Sequence, residues 1–268
     1  MTQPPRITHG PPFLVGKHAI ITGGGHGLGR TIAAALARAG ARVTIMGRDA
    51  AILANTAREI SANGVDAIAI SCDVADPAAV ASAFGEATET SGAAHVLVNN
   101  AGRANSADFT ATTLEDWRHT IDVNLTGPFM CSQQVLPAML RQAAGRIINI
   151  ASTAALRGYP SLSAYCASKH GLLGLTRSLA AEVARHGVTV NAVCPGYTEG
   201  GMSDQAIRSI VRLRHVDADE ALAMLVRNNP SRKLTTQDEV AATVLWLCSE
   251  QSSAITGQAI AVAGGEVM

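Results

Sequence analysis

Short runs of aliphatic and β-branched residues alternate along the chain with longer, alanine-rich stretches whose apolar positions recur at helical spacing. The short runs fall at 18–22, 42–46, 67–71, 95–99, 146–151, 189–194 and 258–261. Strands separated by helix-length segments predict a parallel sheet with helices on both faces, here a seven-stranded, doubly wound, Rossmann-like α/β fold. Two helix ends are marked: 28–39 reads as a helix closed by Gly40 and 49–63 as one closed by Gly64, where glycine accepts the left-handed cap. Parallel strands joined by right-handed crossovers bring their carboxyl ends to one edge, so chemistry is expected just after strands. One domain is predicted over 13–268, behind a proline-containing flexible arm at 1–12, with no internal repeat.

Composition narrows the function classes. With 47% hydrophobic and 16% charged residues, disorder is excluded and a large buried core is expected. Lys plus Arg and Asp plus Glu both number 21, which removes the basic footprint of a nucleic-acid binder. The five cysteines form no CxxC pair, and no His, Asp or Glu cluster has ligand spacing, so neither a disulfide frame nor a metal site is expected. The opening residues lack the apolar run of a secretory signal, and no stretch reaches membrane-spanning length. A cytoplasmic protein without membrane partners is the expectation.

The first strand runs into Thr22, Gly23, Gly24, Gly25, His26, Gly27, Leu28, Gly29, Arg30. Glycines at a strand-to-helix turn let the backbone bend sharply and approach a pyrophosphate, with the next helix's free amides aimed at the anion. The pattern is TGxxxGxG rather than GxGxxG. Taken alone, such a turn can be purely structural. At the end of the second strand, where NAD sites place an acid, stand Gly47 and Arg48. A guanidinium suits a 2′-phosphate, which favours NADP(H) over NAD(H), with His26 as an auxiliary; a solvated surface charge beside the helix cap Asp49 is the alternative for Arg48.

Ser152 follows the fifth strand, and Tyr165 and Lys169 stand four apart in "SAYCASKHG". On a helix starting near Ala164 they share a face, so the ammonium is expected to lower the phenol's pKa. Hydride addition to a carbonyl builds negative charge on oxygen, and Tyr165 and Ser152 are the candidate proton and hydrogen-bond donors. A YxxxK pair alone is weak; its joint occurrence with the glycine turn and strand order is specific.

On these motifs the chain resembles the short-chain dehydrogenase/reductase family, nearly end to end from Gly16 to Gly265. The resemblance implies that Gly23, Gly25, Gly27 and Gly29, with Thr22, His26 and Leu28, border the cofactor phosphates and that Asp73 and Val74 lie by the adenine. It implies that Asn99, Asn100, Ala101 and Gly102 of "NNAG" line the cofactor and brace the sheet. Asn124 matches the family's catalytic asparagine, completing a tetrad with Ser152, Tyr165 and Lys169; Lys169 also binds the nicotinamide ribose. Pro195 and Gly196 begin the loop over the nicotinamide. Two positions depart: Gly200 stands where relatives often have threonine, leaving Thr198 to compensate, and Ala263 replaces the acid of "DGG". The family resemblance also implies a homotetramer, with helices around 125–140 and 172–183 packing between subunits.

The segment of about 200–232 falls where relatives carry a substrate lid. It holds Arg208, Arg212, Arg214 and Arg227, with Arg232 and Lys233 at its end, among Asp217, Asp219 and Glu220. These residues read either as a solvated helix face or as a site for phosphates of a thioester carrier. "VNNAGR", "ASKHG" and "VNAVCPGY" resemble the β-ketoacyl and polyketide ketoreductase branch, so a 3-oxoacyl thioester is the leading substrate. A cyclic, aromatic or sugar alcohol is the alternative, and a non-catalytic NADP-binding sensor is disfavoured because the tetrad is intact. A serine hydrolase is disfavoured too, since Ser152 has no GxSxG elbow.

Overall fold

The computed structural model describes residues 12–62 and 64–268; apart from Pro12, the expected arm lies outside the described residues. In chain order the elements are β1 (His18–Thr22), α1 (Gly27–Arg38), β2 (Arg42–Gly47), α2 (Ala50–Ser61), β3 (Ala67–Ser71), α3 (Pro77–Ser91), β4 (Val96–Asn99) and α4 (Leu114–Ile121). They continue with α5 (Gly127–Gln142), β5 (Gly145–Ile150), α6 (Ser163–Val183), β6 (Val188–Pro195), α7 (Gly201–Arg214), α8 (Ala218–Leu225), α9 (Gln237–Leu247) and β7 (Ala259–Val262). The seven strands lie in the order β3-β2-β1-β4-β5-β6-β7, and every neighbouring pair is parallel. The doubly wound sheet expected from the sequence is therefore present.

Helix limits follow local chemistry. Asp49 stands outside α2 as its N-cap, its carboxylate accepting the Ala51 and Ile52 amides at 3.0 Å. Gly40 and Gly64 sit at φ +97° and +80°, the left-handed stop that a side chain disfavours.

Strand alternation divides the core. Ile21 and Ile45 face α1, α2 and α9, packing with Ile32, Leu36, Leu53, Val240 and Val244. Ile20, Leu97, Ile147 and Val190 face α3, α5 and α6, packing with Phe84, Val135, Met139 and Val183. Fully burying one such side chain contributes about 1.5–3 kcal/mol. Because β1 and β4 are adjacent while the chain winds away from them in opposite directions, a crevice opens at their carboxyl ends. Among the described residues no helix is long and apolar enough to cross a membrane.

Candidate active site

The turn after β1 is built for close approach. Thr22 Oγ1 accepts the amides of Asn100 and Ala101, both at 3.1 Å, while Asn100 Nδ2 donates to the Thr22 and Gly23 carbonyls at 3.0 and 3.1 Å. Those bonds sew the end of β4 to the glycine turn across the switch point. A Cβ on Gly29 would stand 2.1 Å from the Gly23 oxygen, so only glycine lets α1 pack so close. Gly25 gives its carbonyl to Thr56 Oγ1 at 2.7 Å. Gly24, which the sequence motif left unassigned, is equally constrained: a Cβ there would lie 2.7 Å from Ile45 Cβ. Gly27 differs, with φ +52° and open space where its side chain would be. The exposed N-cap residue His26 supplies no side-chain cap to α1, and Leu28 is half-buried. Outward-facing first-turn amides above an open glycine fit an anionic pyrophosphate.

Beyond β2, Arg48 is exposed and forms no ion pair among the described residues. Asp73 is half-buried after β3, with Oδ1 accepting the Ala75 amide at 3.0 Å. Val74 is buried against Gly127, whose Cβ would approach the Val74 carbonyl to 2.9 Å. These residues line the same sheet edge as the glycine turn, at the carboxyl ends of β2 and β3.

Asn124 lies in a π turn, Asp122–Thr126, between α4 and α5, a local widening common at functional sites. Its Oδ1 accepts the Arg103 amide at 2.9 Å, and its Nδ2 donates to the Arg103 carbonyl at 2.8 Å and to Ser168 Oγ at 3.0 Å. Ser168 in turn donates to the Tyr165 carbonyl at 2.7 Å. Asn124 is thereby tied to the helical turn that carries the phenol, a link invisible in the motif spacing. Gly102 sits between the polar groups: a Cβ on it would be 3.4 Å from Asn124 Oδ1 and 3.7 Å from Lys169 Nζ. Asn99 points inward, donating to Asn149 Oδ1 at 2.9 Å, and so braces β4 against β5.

Ser152, extended just past β5, accepts the Ala154 amide at 3.1 Å, and its hydroxyl acts on the Tyr165 phenol to lower its pKa. Lys169 is 4% exposed, donates to the Ile150 carbonyl at 2.8 Å, and holds its ammonium 5.7 Å from the Tyr165 ring centre. The expected lowering of the tyrosine pKa by lysine needs correction. Burial pushes the Tyr165 phenol up to about 12, and the opposing influence is the Ser152 hydrogen bond. Burial also lowers Lys169 to about 8.

At the end of β6, Pro195 is buried and the Gly196 amide donates to Val262 at 3.1 Å. Thr198 turns its hydroxyl back to the Gly196 carbonyl at 3.1 Å. Gly200 has φ +106°, and a Cβ there would meet Gln237 Nε2 at 2.7 Å, so a threonine is poorly accommodated at this position. Ala263 is buried against Gly196, an apolar contact in the place of an acid. The segment at 200–232 is not an irregular connection: it contains α7 and α8, the latter capped by Asp217. Arg208, Arg212, Arg214, Arg227, Arg232 and Lys233 are all exposed there.

The crevice thus gathers a glycine-rich turn and a serine–tyrosine–lysine–asparagine cluster at one sheet edge. A family model described as short chain dehydrogenase matches residues 17–209. A Streptomyces violaceoruber protein named as ketoacyl reductase 1 of the granaticin polyketide synthase is 39% identical over 92% of each chain. The Staphylococcus aureus 3-oxoacyl-[acyl-carrier-protein] reductase FabG is 37% identical over 94% of this chain and 98% of its own. The crystal structure of a variant actinorhodin polyketide ketoreductase with NADPH superposes with a TM-score of 0.90, at 36% identity over 93% of this chain and 97% of that one. Sequence, sheet order and site agree across almost the whole length: the chain is an oxidoreductase of the short-chain dehydrogenase/reductase family.

Proposed function

We propose that this enzyme reduces the ketone of a 3-oxoacyl thioester to the secondary alcohol, using NADP(H) in preference to NAD(H). The observation that carries the reading is the convergence of Ser152, Tyr165 and the buried Lys169 ammonium, 5.7 Å from the Tyr165 ring centre, at the sheet's carboxyl edge. When bound, a nicotinamide dinucleotide supplies the hydride. Tyr165 then donates its proton to the carbonyl oxygen, and Ser152 holds that oxygen by a hydrogen bond. A phenol raised to about 12 is protonated at neutral pH, the form an acid needs in the reductive direction. The Lys169 charge and the Ser152 hydroxyl stabilise the phenolate left after proton donation, while Asn124 fixes the turn that carries Tyr165.

Gly23, Gly27 and Gly29 with the first turn of α1 are assigned to the pyrophosphate, Asp73 and Val74 to the adenine, and Asn100, Ala101 and Gly102 to the cofactor wall. Pro195, Gly196 and Thr198 are assigned to the nicotinamide side. The NADP(H) preference rests on Arg48, which forms no ion pair among the described residues and follows a β2 that carries no acid at its end; the related actinorhodin enzyme was solved with NADPH. Thioester specificity is supported by the names of the ketoreductase relatives and by the exposed basic residues of α7 to Lys233. We assign the enzyme to the cytoplasm and to a homotetramer, consistent with the exposed Leu114, Trp117 and Phe129 on α4 and α5.

A second reading, oxidation of a small secondary alcohol, is favoured by one relative, the 2-(S)-hydroxypropyl-CoM dehydrogenase 3 of Xanthobacter autotrophicus, 37% identical over 91% of this chain. Turnover of acetoacetyl-CoA against cyclohexanone with NADPH separates the two. Preferential thioester reduction is expected; equal or absent thioester turnover refutes the substrate assignment.

A further inference from the structure

Beside Ser152 runs a polar chain that the tetrad does not include. Tyr159, on the loop between β5 and α6, places its hydroxyl 2.6 Å from Glu266 Oε1 and 2.7 Å from Thr153 Oγ1. One phenol carries one proton. A carboxylate only accepts, so Tyr159 donates to Glu266 and receives from the Thr153 hydroxyl. Thr153 is the residue after Ser152 and is buried within the single 3-10 turn, Thr153–Ala155, that Ser152 caps. The order is therefore Thr153 to Tyr159 to Glu266, a charge-assisted chain ending on a carboxylate in the segment that follows β7.

Two further contacts fix its geometry. The Arg157 guanidinium lies over the Tyr159 ring at 4.7 Å from its centre, holding the ring flat against the loop. Glu266 Oε2 is 3.1 Å from where a Cβ on Gly196 would stand, so the carboxylate lies against the loop that follows β6. The segment after β7 is thus pinned at one point to both the serine loop and the Gly196 loop. Tyr159 and Glu266 do not touch the reacting atoms assigned above; their hydrogen-bonded route to the chemistry is through Thr153 and Ser152.

We propose that Glu266 and Tyr159 are positioning residues for Ser152, a brace from the C-terminal tail that holds the serine hydroxyl against the Tyr165 phenol. This rests on the assigned roles of Ser152 and Tyr165. Without the brace the turn capped by Ser152 loosens, its hydrogen bond to Tyr165 weakens, and the phenolate loses a stabilising partner. The rate constant for turnover falls, while cofactor affinity, assigned chiefly to the glycine turn and Arg48 at the ends of β1 and β2, stays close to wild type. Since the Ser152 bond acts to lower the Tyr165 pKa, its weakening moves the alkaline limb of the reductive kcat profile to higher pH.

The test compares Tyr159→Phe, Glu266→Ala and Glu266→Gln with wild type and Tyr165→Phe. Assays use NADPH and acetoacetyl-CoA, or cyclohexanone if that is the ketone wild type reduces. Tyr159→Phe keeps the ring under Arg157 and removes only the hydroxyl, so it decides the matter if Glu266→Ala does not fold. Expected are kcat values lowered about tenfold in Tyr159→Phe and Glu266→Ala, within the loss that misplacing a catalytic group can cause. The KM for NADPH should stay constant, the alkaline limb should move upward, and Glu266→Gln, which keeps an acceptor oxygen, should recover most of the activity. Wild-type kcat and pH profile in Tyr159→Phe, or a change confined to KM, overturns the brace. If Tyr165→Phe retains turnover, the underlying catalytic assignment fails instead.

Discussion

Two glycines of the turn after β1, two residues apart, should respond to the same substitution in opposite ways. In Gly29→Ala the new methyl carbon would stand 2.1 Å from the Gly23 carbonyl oxygen and 2.5 Å from Asn100 Nδ2. The first contact is with backbone and cannot be relieved by a rotamer change. The second presses on the side chain that joins β4 to the turn at 3.0 and 3.1 Å. Overpacking of this kind costs about 1–3 kcal/mol, and each disturbed hydrogen bond adds about 1 kcal/mol. A total of about 3 kcal/mol lowers the melting temperature by roughly 6–12 °C in a domain of this size.

Gly27→Ala meets nothing within 4 Å. It carries only the strain of φ +52°, about 1–2 kcal/mol, or roughly 2–8 °C. Its methyl group instead projects into the space assigned to the pyrophosphate. Thermal melts monitored by circular dichroism, together with fluorescence titration of NADPH, separate the two cases. Gly29→Ala should show the larger drop in melting temperature, and Gly27→Ala a loss of NADPH affinity out of proportion to its small thermal effect. Wild-type melting of Gly29→Ala, or wild-type NADPH affinity in Gly27→Ala, would refute the assigned roles.

Other residues give independent checks. Arg48→Asp should weaken NADPH binding relative to NADH, read as the ratio of dissociation constants; an unchanged ratio contradicts the 2′-phosphate assignment. His18 is fully buried with its ring bonded to the Gly92 carbonyl and Thr44 Oγ1 at 2.7 and 2.8 Å, and burial lowers its pKa, as it does for neighbouring His95. The folded protein then binds fewer protons than the unfolded chain below pH 6.5, the ordinary histidine value. Stability conferred by the neutral rings is complete above that pH and declines on acidification, by at most about 1.4 kcal/mol per pH unit for each ring. Urea melts between pH 7.5 and 5 check this, and His18→Gln should flatten the decline; a variant as acid-sensitive as wild type counts against it.

Much of this architecture was legible in the chain. Strand limits shift by a residue or two, as with β4 beginning at Val96 rather than His95, because the apolar runs are buried on both faces and leave the ends to local hydrogen bonding. The glycine turn and the Tyr165–Lys169 pair were legible because each depends on short-range spacing. What escaped depends on contacts between distant segments. Gly24 is needed because β2 brings Ile45 against it. The Asn124–Ser168 bond joins residues 44 apart, and the Tyr159–Glu266 bond residues 107 apart. The phenol's raised pKa reflects burial, which overrides the influence expected from a lysine one helical turn away. A helical face was considered for the 200–232 segment, but its division into α7 and α8 was not legible because α7 is dominated by polar and basic residues around a narrow apolar stripe.

The most direct measurement is the single-turnover rate of NADPH oxidation by Tyr165→Phe with the carbonyl substrate of the wild-type enzyme, alongside NADPH affinity by fluorescence. Removing the proton donor should slow turnover by about 10²–10⁴-fold while leaving NADPH affinity essentially that of wild type. Turnover at the wild-type rate would contradict the assignment of Tyr165 as the acid.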